Sequence, residues 1–265
     1  MQKKARIASI AKASNLDLGL VGIESFSLSK LELDRDLDFP LPGNIRLGHL
    51  AERIVAELIK ASANYSVLYE NVQLIEDKKT IGEIDFILTE LETKRIIHLE
   101  LAYKFYLFDP SIPGEAIGKW IGPNRKDSLI EKLDKLKEKQ FPLLYHDCAK
   151  STLNTIPIRE ASQALCMLVS LFVPYHSKVS FEPRYARAIK GYYLYHETFI
   201  NLDHTNKVYC LPPKKEWGID PSENEDWMDF ELIKKSIESS VKERQSRLCW
   251  QKQGDSYSGF FIVWW

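Results

Sequence analysis

The chain has no apolar run long enough to cross a bilayer. The longest, "ALCMLVSLFVPY" (164–175), falls short of the roughly 20 residues a helix needs to span a hydrocarbon core of about 30 Å. The N-terminus, "MQKKARIASIAKASNLDLG", starts basic but has no apolar h-region, so a secretory leader is not expected. Cysteine is sparse: 4 in 265 residues, widely spaced, with no CxxC pair. That argues against a disulfide framework or a cysteine zinc site and for free thiols in a cytoplasmic protein without a membrane partner. There is no excess of one charge, the formal net charge being -1, so any surface for a polyanion must be a local patch. GxxxxGK[ST] is absent, which excludes a P-loop nucleotide cofactor. G-x-S-x-G and HExxH are absent as well.

What is there is an ordinary globular composition, 45% hydrophobic and 28% charged, in a chain long enough to bury a sizeable core. Residues 1–44 form a lead-in segment ending on the Pro/Gly stretch of "SKLELDRDLDFPLPG" (29–43). "IRLGHLAERIVAELIKAS" (45–62) has helical apolar spacing. Strands are predicted over 67–75, 80–90 and 95–108, with "LETK" (91–94) as the hairpin loop between the last two. A Pro/Gly-rich loop (109–124) then leads to a charged amphipathic helix over 125–140, and 164–175 has the composition of a buried strand. Helix, three strands, helix, strand is an α/β pattern filling 45–175. Residues 176–265 read as an α+β extension packed on that core, with strands over 188–200, 206–211 and 258–265 and a helix over 221–245 whose candidate N-caps are Ser222 and Asn224.

The residues that carry chemistry lie in "GEIDFILTELETKRIIHLELAYK" (82–104). Strand side chains alternate faces, so His98, Glu100, Ala102 and Lys104 share one face of the third strand, and Glu83 and Asp85 share one face of the second. A symmetrical hairpin through "LETK" sets Asp85 opposite Glu100. Like charges in that position destabilise a sheet, and a divalent cation held by hard oxygens offsets the cost; Mg²⁺ or Mn²⁺ suits such ligands. A lysine beside them can orient a water or hold a phosphate oxygen. The plain alternative is an ion-paired network on a half-exposed sheet face, with no site at all.

"GEIDFIL…IIHLELAYK" resembles the core motif of the PD-(D/E)XK nuclease superfamily. That resemblance implies a restriction-endonuclease-like αβββαβ core and metal-dependent hydrolysis of phosphodiester bonds in DNA or RNA. Asp85 and Glu100 would then be metal ligands, with a further carboxylate from the preceding helix, where "LGHLAE" points to Glu52. The sequence also resembles the bacterial family known as domain of unknown function 1853, through "LGHLAERIVAELI", "TIGEIDFIL", "HLELAYKFYL" and "KWIGPNRKDSLIEKLDKL". One departure stands out. The superfamily lysine follows its glutamate by two residues, where this chain has Ala102. The lysine here is Lys104, on the same strand face but about 6.6 Å further along. That displacement supports a second possibility, a scaffold without cutting activity that binds nucleic acid or protein.

"WIGPNRKD" (120–127) offers Asn124, Arg125 and Lys126 as nucleic-acid contacts at a helix start, with Asn124 as its N-cap. Trp120 is expected to be core and the lysines of 126–139 a solvated helix face. Gln163 is a weaker candidate near the site. His98, a lone histidine, is expected to be simply hydrogen-bonded.

Overall fold

The computed structural model describes residues 3–33 and 37–265. Residues 34–36 of the lead-in stretch 29–43 lie outside the described residues. In chain order the elements are α1 (Lys3–Ala11), β1 (Ser14–Asn15), β2 (Glu24–Ser25), α2 (Leu47–Lys60), β3 (Tyr65–Glu76), β4 (Lys79–Glu90), β5 (Ile96–Phe108), β6 (Trp120–Ile121), α3 (Leu129–Lys135), α4 (Asp147–Thr152), β7 (Ser162–Pro174), α5 (Pro183–Ala186), β8 (Ile189–Tyr195), α6 (His196–Ile200), β9 (Val208–Cys210), α7 (Phe230–Lys242), β10 (Arg247–Gln253) and β11 (Ser256–Val263). The protein is of mixed α/β type, with mixed strand pairing. Two compact units interleave in sequence. One comprises Ile10–Tyr103 and Glu131–Val169; the other comprises Met1–Ser9, Lys104–Ile130 and Ser170–Trp265.

The first unit holds the strand order β3-β4-β5-β7, with β1 pairing β7 antiparallel and β2 pairing it parallel. α2 forms where the apolar spacing predicts it: Leu47, Leu50, Ala51, Ile54, Val55, Leu58 and Ile59 are buried, leaving Glu52 and Glu57 half-buried. β4 and β5 pair antiparallel through Phe86↔Leu99, Ile87↔His98, Leu88↔Ile97 and Thr89↔Ile96, the register expected for a tight loop at "LETK". β5 departs from the expected pattern of one apolar and one charged face. Every residue from Ile97 to Tyr103 is buried, because covering side chains such as Phe141, edge-on to His98 at 5.4 Å, close over the polar face. After α3 the chain does not run on as one α-helix to 140. It widens to a π-helical turn at Leu136–Gln140 and tightens to a 3-10 turn at Phe141–Tyr145, with Pro142 at the start of that turn. A second apolar cluster gathers Val72, Leu74, Ile84, Ile87, Leu144, Ala149 and Leu153.

In the second unit β8 and β11 run parallel, β10 pairs antiparallel with both β11 and β9, and the end of β7 pairs parallel with β8. Leu194, Phe199, Tyr209, Ile233, Ile237, Phe260 and Ile262 form its core. Three sequence expectations change here. The strand predicted over 188–200 stops at Tyr195, and residues 196–200 form α6. α7 starts at Phe230, capped by Asp229 accepting from the Leu232 N–H at 2.9 Å; Ser222 and Asn224 belong to a separate 3-10 turn instead. β10 forms a hairpin with β11 through Gly254, whose φ of +57° suits glycine. Trp120 is fully buried among Phe108, Phe181 and Tyr185, as expected of a core tryptophan. Among the described residues no helix is long and apolar enough to cross a membrane.

Candidate metal centre

One step beyond the last ladder pair, the β4–β5 register sets Asp85 opposite Glu100. Both carboxylates are buried, Asp85 8% exposed and Glu100 0%. The strand face that carries them is therefore buried and not half-exposed. The two carboxylates are held by each other's strand: the Leu101 N–H donates to Asp85 Oδ2 at 2.8 Å, and the Asp85 backbone N–H donates to the Glu100 carboxylate. Glu100 is further pinned on both oxygens. His98 Nε2 lies 2.9 Å from Oε1, and Gln140 Nε2 donates to Oε2 at 2.5 Å. Gln140 in turn accepts from Lys132 Nζ at 2.8 Å.

Electrostatics explain why these contacts are needed. Burial, then the charge of Glu100, pushes Asp85 well above the carboxylate range, against the Leu101 N–H and Lys132, which pull it down; Glu52 adds to the rise. Burial raises Glu100 to about 8 although Lys132 and the Asp85 N–H oppose it, and Glu52 and Glu83 add negative charge. His98 is fully buried, and burial alone lowers it to about 4, so its ring is neutral. Its Nδ1 has no hydrogen-bond partner. At neutral pH the pair therefore holds a proton in the absence of a cation.

Glu52 on α2 is half-buried and bonded to His49 Nδ1 at 3.0 Å. It acts on both carboxylates through space. The oxygens of Glu52, Asp85 and Glu100 do not close to within 4.8 Å of one another as a threesome. Lys104 belongs to the other compact unit, where its Nζ donates to Asp127 Oδ2 at 2.7 Å. The residues that sequence reasoning missed are Lys132 and Gln140. The sequence pattern places Lys132 among the solvated lysines; Lys135, Lys137 and Lys139 are indeed exposed, while Lys132 is half-buried. Gln140 had no local signal, because the π-helical turn that aims it inward is not encoded in spacing. Gln163 bonds the Phe141 carbonyl at 2.9 Å.

The 122–127 segment is a closed turn after β6 and not a helix start, which corrects the N-cap assigned to Asn124. The Gly122 N–H donates to the Asp127 carbonyl at 2.7 Å and the Arg125 N–H to the Gly122 carbonyl at 2.8 Å. Asn124 Oδ1 accepts from the Ser246 N–H at 2.7 Å. Arg125 sits at φ +55°, pairs with Asp109 at 2.8 Å and lies over the Trp265 ring at 4.6 Å. Lys126 is exposed.

The chain matches the family described as Domain of unknown function (DUF1853) over residues 13–257. No curated protein and no solved structure matches it.

Proposed function

The chain belongs to the DUF1853 family, and we propose that it is a metal-dependent nuclease of the PD-(D/E)XK type, with the restriction-endonuclease-like αβββαβ core, hydrolysing phosphodiester bonds of DNA or RNA. The observation that carries this is the buried Asp85–Glu100 pair, set opposite each other and held by backbone N–H groups and Gln140. The donor set fits Mg²⁺ or Mn²⁺: hard carboxylate oxygens, with too little positive charge around them to keep both ionised. Asp85 and Glu100 would hold the ion. Bound there, it would lower the pKa of a water and stabilise charge on the phosphate. The chain's own residues do the rest. His98 and Gln140 fix both Glu100 oxygens, Glu52 adds negative charge nearby, and Lys132 keeps a positive charge beside the pair through Gln140. Lys132 supplies a positive charge near the carboxylates, while Lys104 pairs with Asp127. The exposed Lys126, beside Arg125, is the candidate contact to the nucleic-acid backbone.

One observation favours the second possibility, a scaffold that binds without cutting: the Lys104 ammonium is engaged by Asp127. Cleavage assays on single- and double-stranded DNA and RNA with Mg²⁺ or Mn²⁺ decide between them. Cleavage by the wild type, lost in Asp85→Asn and sharply reduced in Lys132→Met, supports the nuclease. Metal-dependent nucleic-acid binding without cleavage of any form supports the scaffold. Loss of cleavage in Lys104→Ala but not in Lys132→Met would reverse the roles of the two lysines.

A further inference from the structure

A second cluster of ligand-type side chains lies away from the carboxylate pair. Glu76, the last residue of β3, His146, which precedes α4, and Cys148 place one ligand atom each within 4.8 Å of one another. Among the described residues it is the group of three that reaches this spacing. His146 Nε2 is 3.9 Å from Glu76 Oε1, and Cys148 Sγ is 4.0 Å from the same oxygen. In a tetrahedral zinc site with bonds near 2.0–2.3 Å, neighbouring ligand atoms stand about 3.3–3.6 Å apart. The two sides that meet at Glu76 need to contract by roughly half an ångström, within reach of a partly exposed glutamate and a thiol in the first turn of a short helix.

We infer that Glu76, His146 and Cys148 form a zinc-type site, holding Zn²⁺ through one carboxylate oxygen, one imidazole nitrogen and one thiolate, with the fourth position open to water. The donor chemistry separates it from the carboxylate pair. Sulfur and imidazole nitrogen suit a borderline-soft ion and not Mg²⁺, whereas Asp85 and Glu100 offer oxygen alone. Binding balances simply: the thiol proton leaves as the S–Zn bond forms. The Cys148 N–H reaches His146 Nδ1 at 3.3 Å, a long contact. Coordination through Nε2 moves the ring proton to Nδ1 and gives that contact up. In return the ion ties the end of β3 to the start of α4, above the cluster of Leu74, Leu144, Ala149 and Leu153. The sequence hides this site because Glu76 and His146 are far apart in the chain and His-x-Cys alone is no recognised spacing.

The test is titration of the full chain with Co²⁺ alone, followed through the thiolate-to-cobalt charge-transfer absorption, and then displacement by Zn²⁺. Cys166 and Cys249 are buried and Cys210 is bonded to Asn224, so this absorption reports Cys148. The site predicts one Co²⁺ per chain, an absorption absent in Cys148→Ser and unchanged in Asp85→Asn, and Zn²⁺ affinity reduced at least about 100-fold in His146→Gln. Should Cys148→Ser fail to fold, the His146→Gln and Glu76→Gln affinities decide alone. No absorption in the wild type, the same absorption in Cys148→Ser, or unchanged affinity in His146→Gln would overturn the site.

Discussion

The buried carboxylates make stability depend on pH in an unusual direction, and the size of the effect can be worked out. Glu100 titrates at about 8 in the folded chain against an ordinary 4.5. A carboxyl raised in this way binds its proton more tightly when folded. Its contribution is fully present below the unfolded value and is lost as pH rises through the folded one. His98 acts in the opposite sense: lowered to about 4 from 6.5, it adds stability as pH rises from 4 to 6.5 and nothing beyond. Between pH 4.5 and 6.5 the two slopes nearly cancel. From 6.5 to 8 Glu100 acts without that opposition, at about 1.4 kcal/mol per pH unit, so the metal-free protein loses about 2 kcal/mol. Asp85, raised for the same reasons, deepens the loss. The carboxylates lowered by exposed partners, such as Asp147 and Asp203, contribute only in acid. The raised thiols and phenols, such as Cys210 at about 11, act only in alkali. Urea unfolding in chelator at half-unit steps from pH 6 to 8.5 measures this. Stability should fall for the wild type and fall clearly less steeply for Glu100→Gln, which keeps the shape but cannot ionise and leaves only Asp85 to titrate. A wild-type curve that is flat or rising, or a slope equally steep in Glu100→Gln, would refute the argument that burial and mutual repulsion set this pair.

Mn²⁺ at about a hundredfold above its dissociation constant should stabilise the wild type by about 2.7 kcal/mol and raise its thermal midpoint; an equal rise in Asp85→Ala would remove the site. Lys132→Met should strengthen proton binding by both carboxylates, moving the stability loss to higher pH, since Lys132 lowers both; an unmoved curve would mean its charge is not felt. Leu99→Ala, at a position 0% exposed between Glu100 and His98, should cost about 2–5 kcal/mol by urea unfolding. Asn124→Ala should cost about 1–3 kcal/mol by leaving the buried Ser246 N–H unpaired, with nucleic-acid affinity unchanged in a binding assay if that asparagine is structural.

The part of the site most readable from sequence was the register. A four-residue loop between two β-branched strands leaves little freedom, so placing Asp85 opposite Glu100 needed only the loop centre, and the ladder agrees. α2 was equally legible, because its apolar positions repeat at helical spacing without a breaker. Burial was not legible. Alternation placed the charges on one strand face but could not say that Phe141 and the turns at 136–145 cover it. Lys132 and Gln140 were hidden for the same reason: their roles come from a helix that widens, which no local propensity encodes. Asn124 misled because an asparagine before a charged helix reads as a cap, whereas its true partner is 122 residues away. β10 was missed although a signal was present, since "QGDS" between "RLCWQ" and "YSGFFIV" is hairpin chemistry.

The account rests on Asp85 and Glu100 sharing a cation. The anomalous difference map of a Mn²⁺-soaked crystal tests that most directly. It should show one peak between the two carboxylates, with oxygens of both at about 2.1–2.2 Å and the peak lost in Asp85→Asn. A fully soaked crystal with no peak there, or with the two carboxyl groups still sharing a proton beside a Mn²⁺ bound elsewhere, would contradict it.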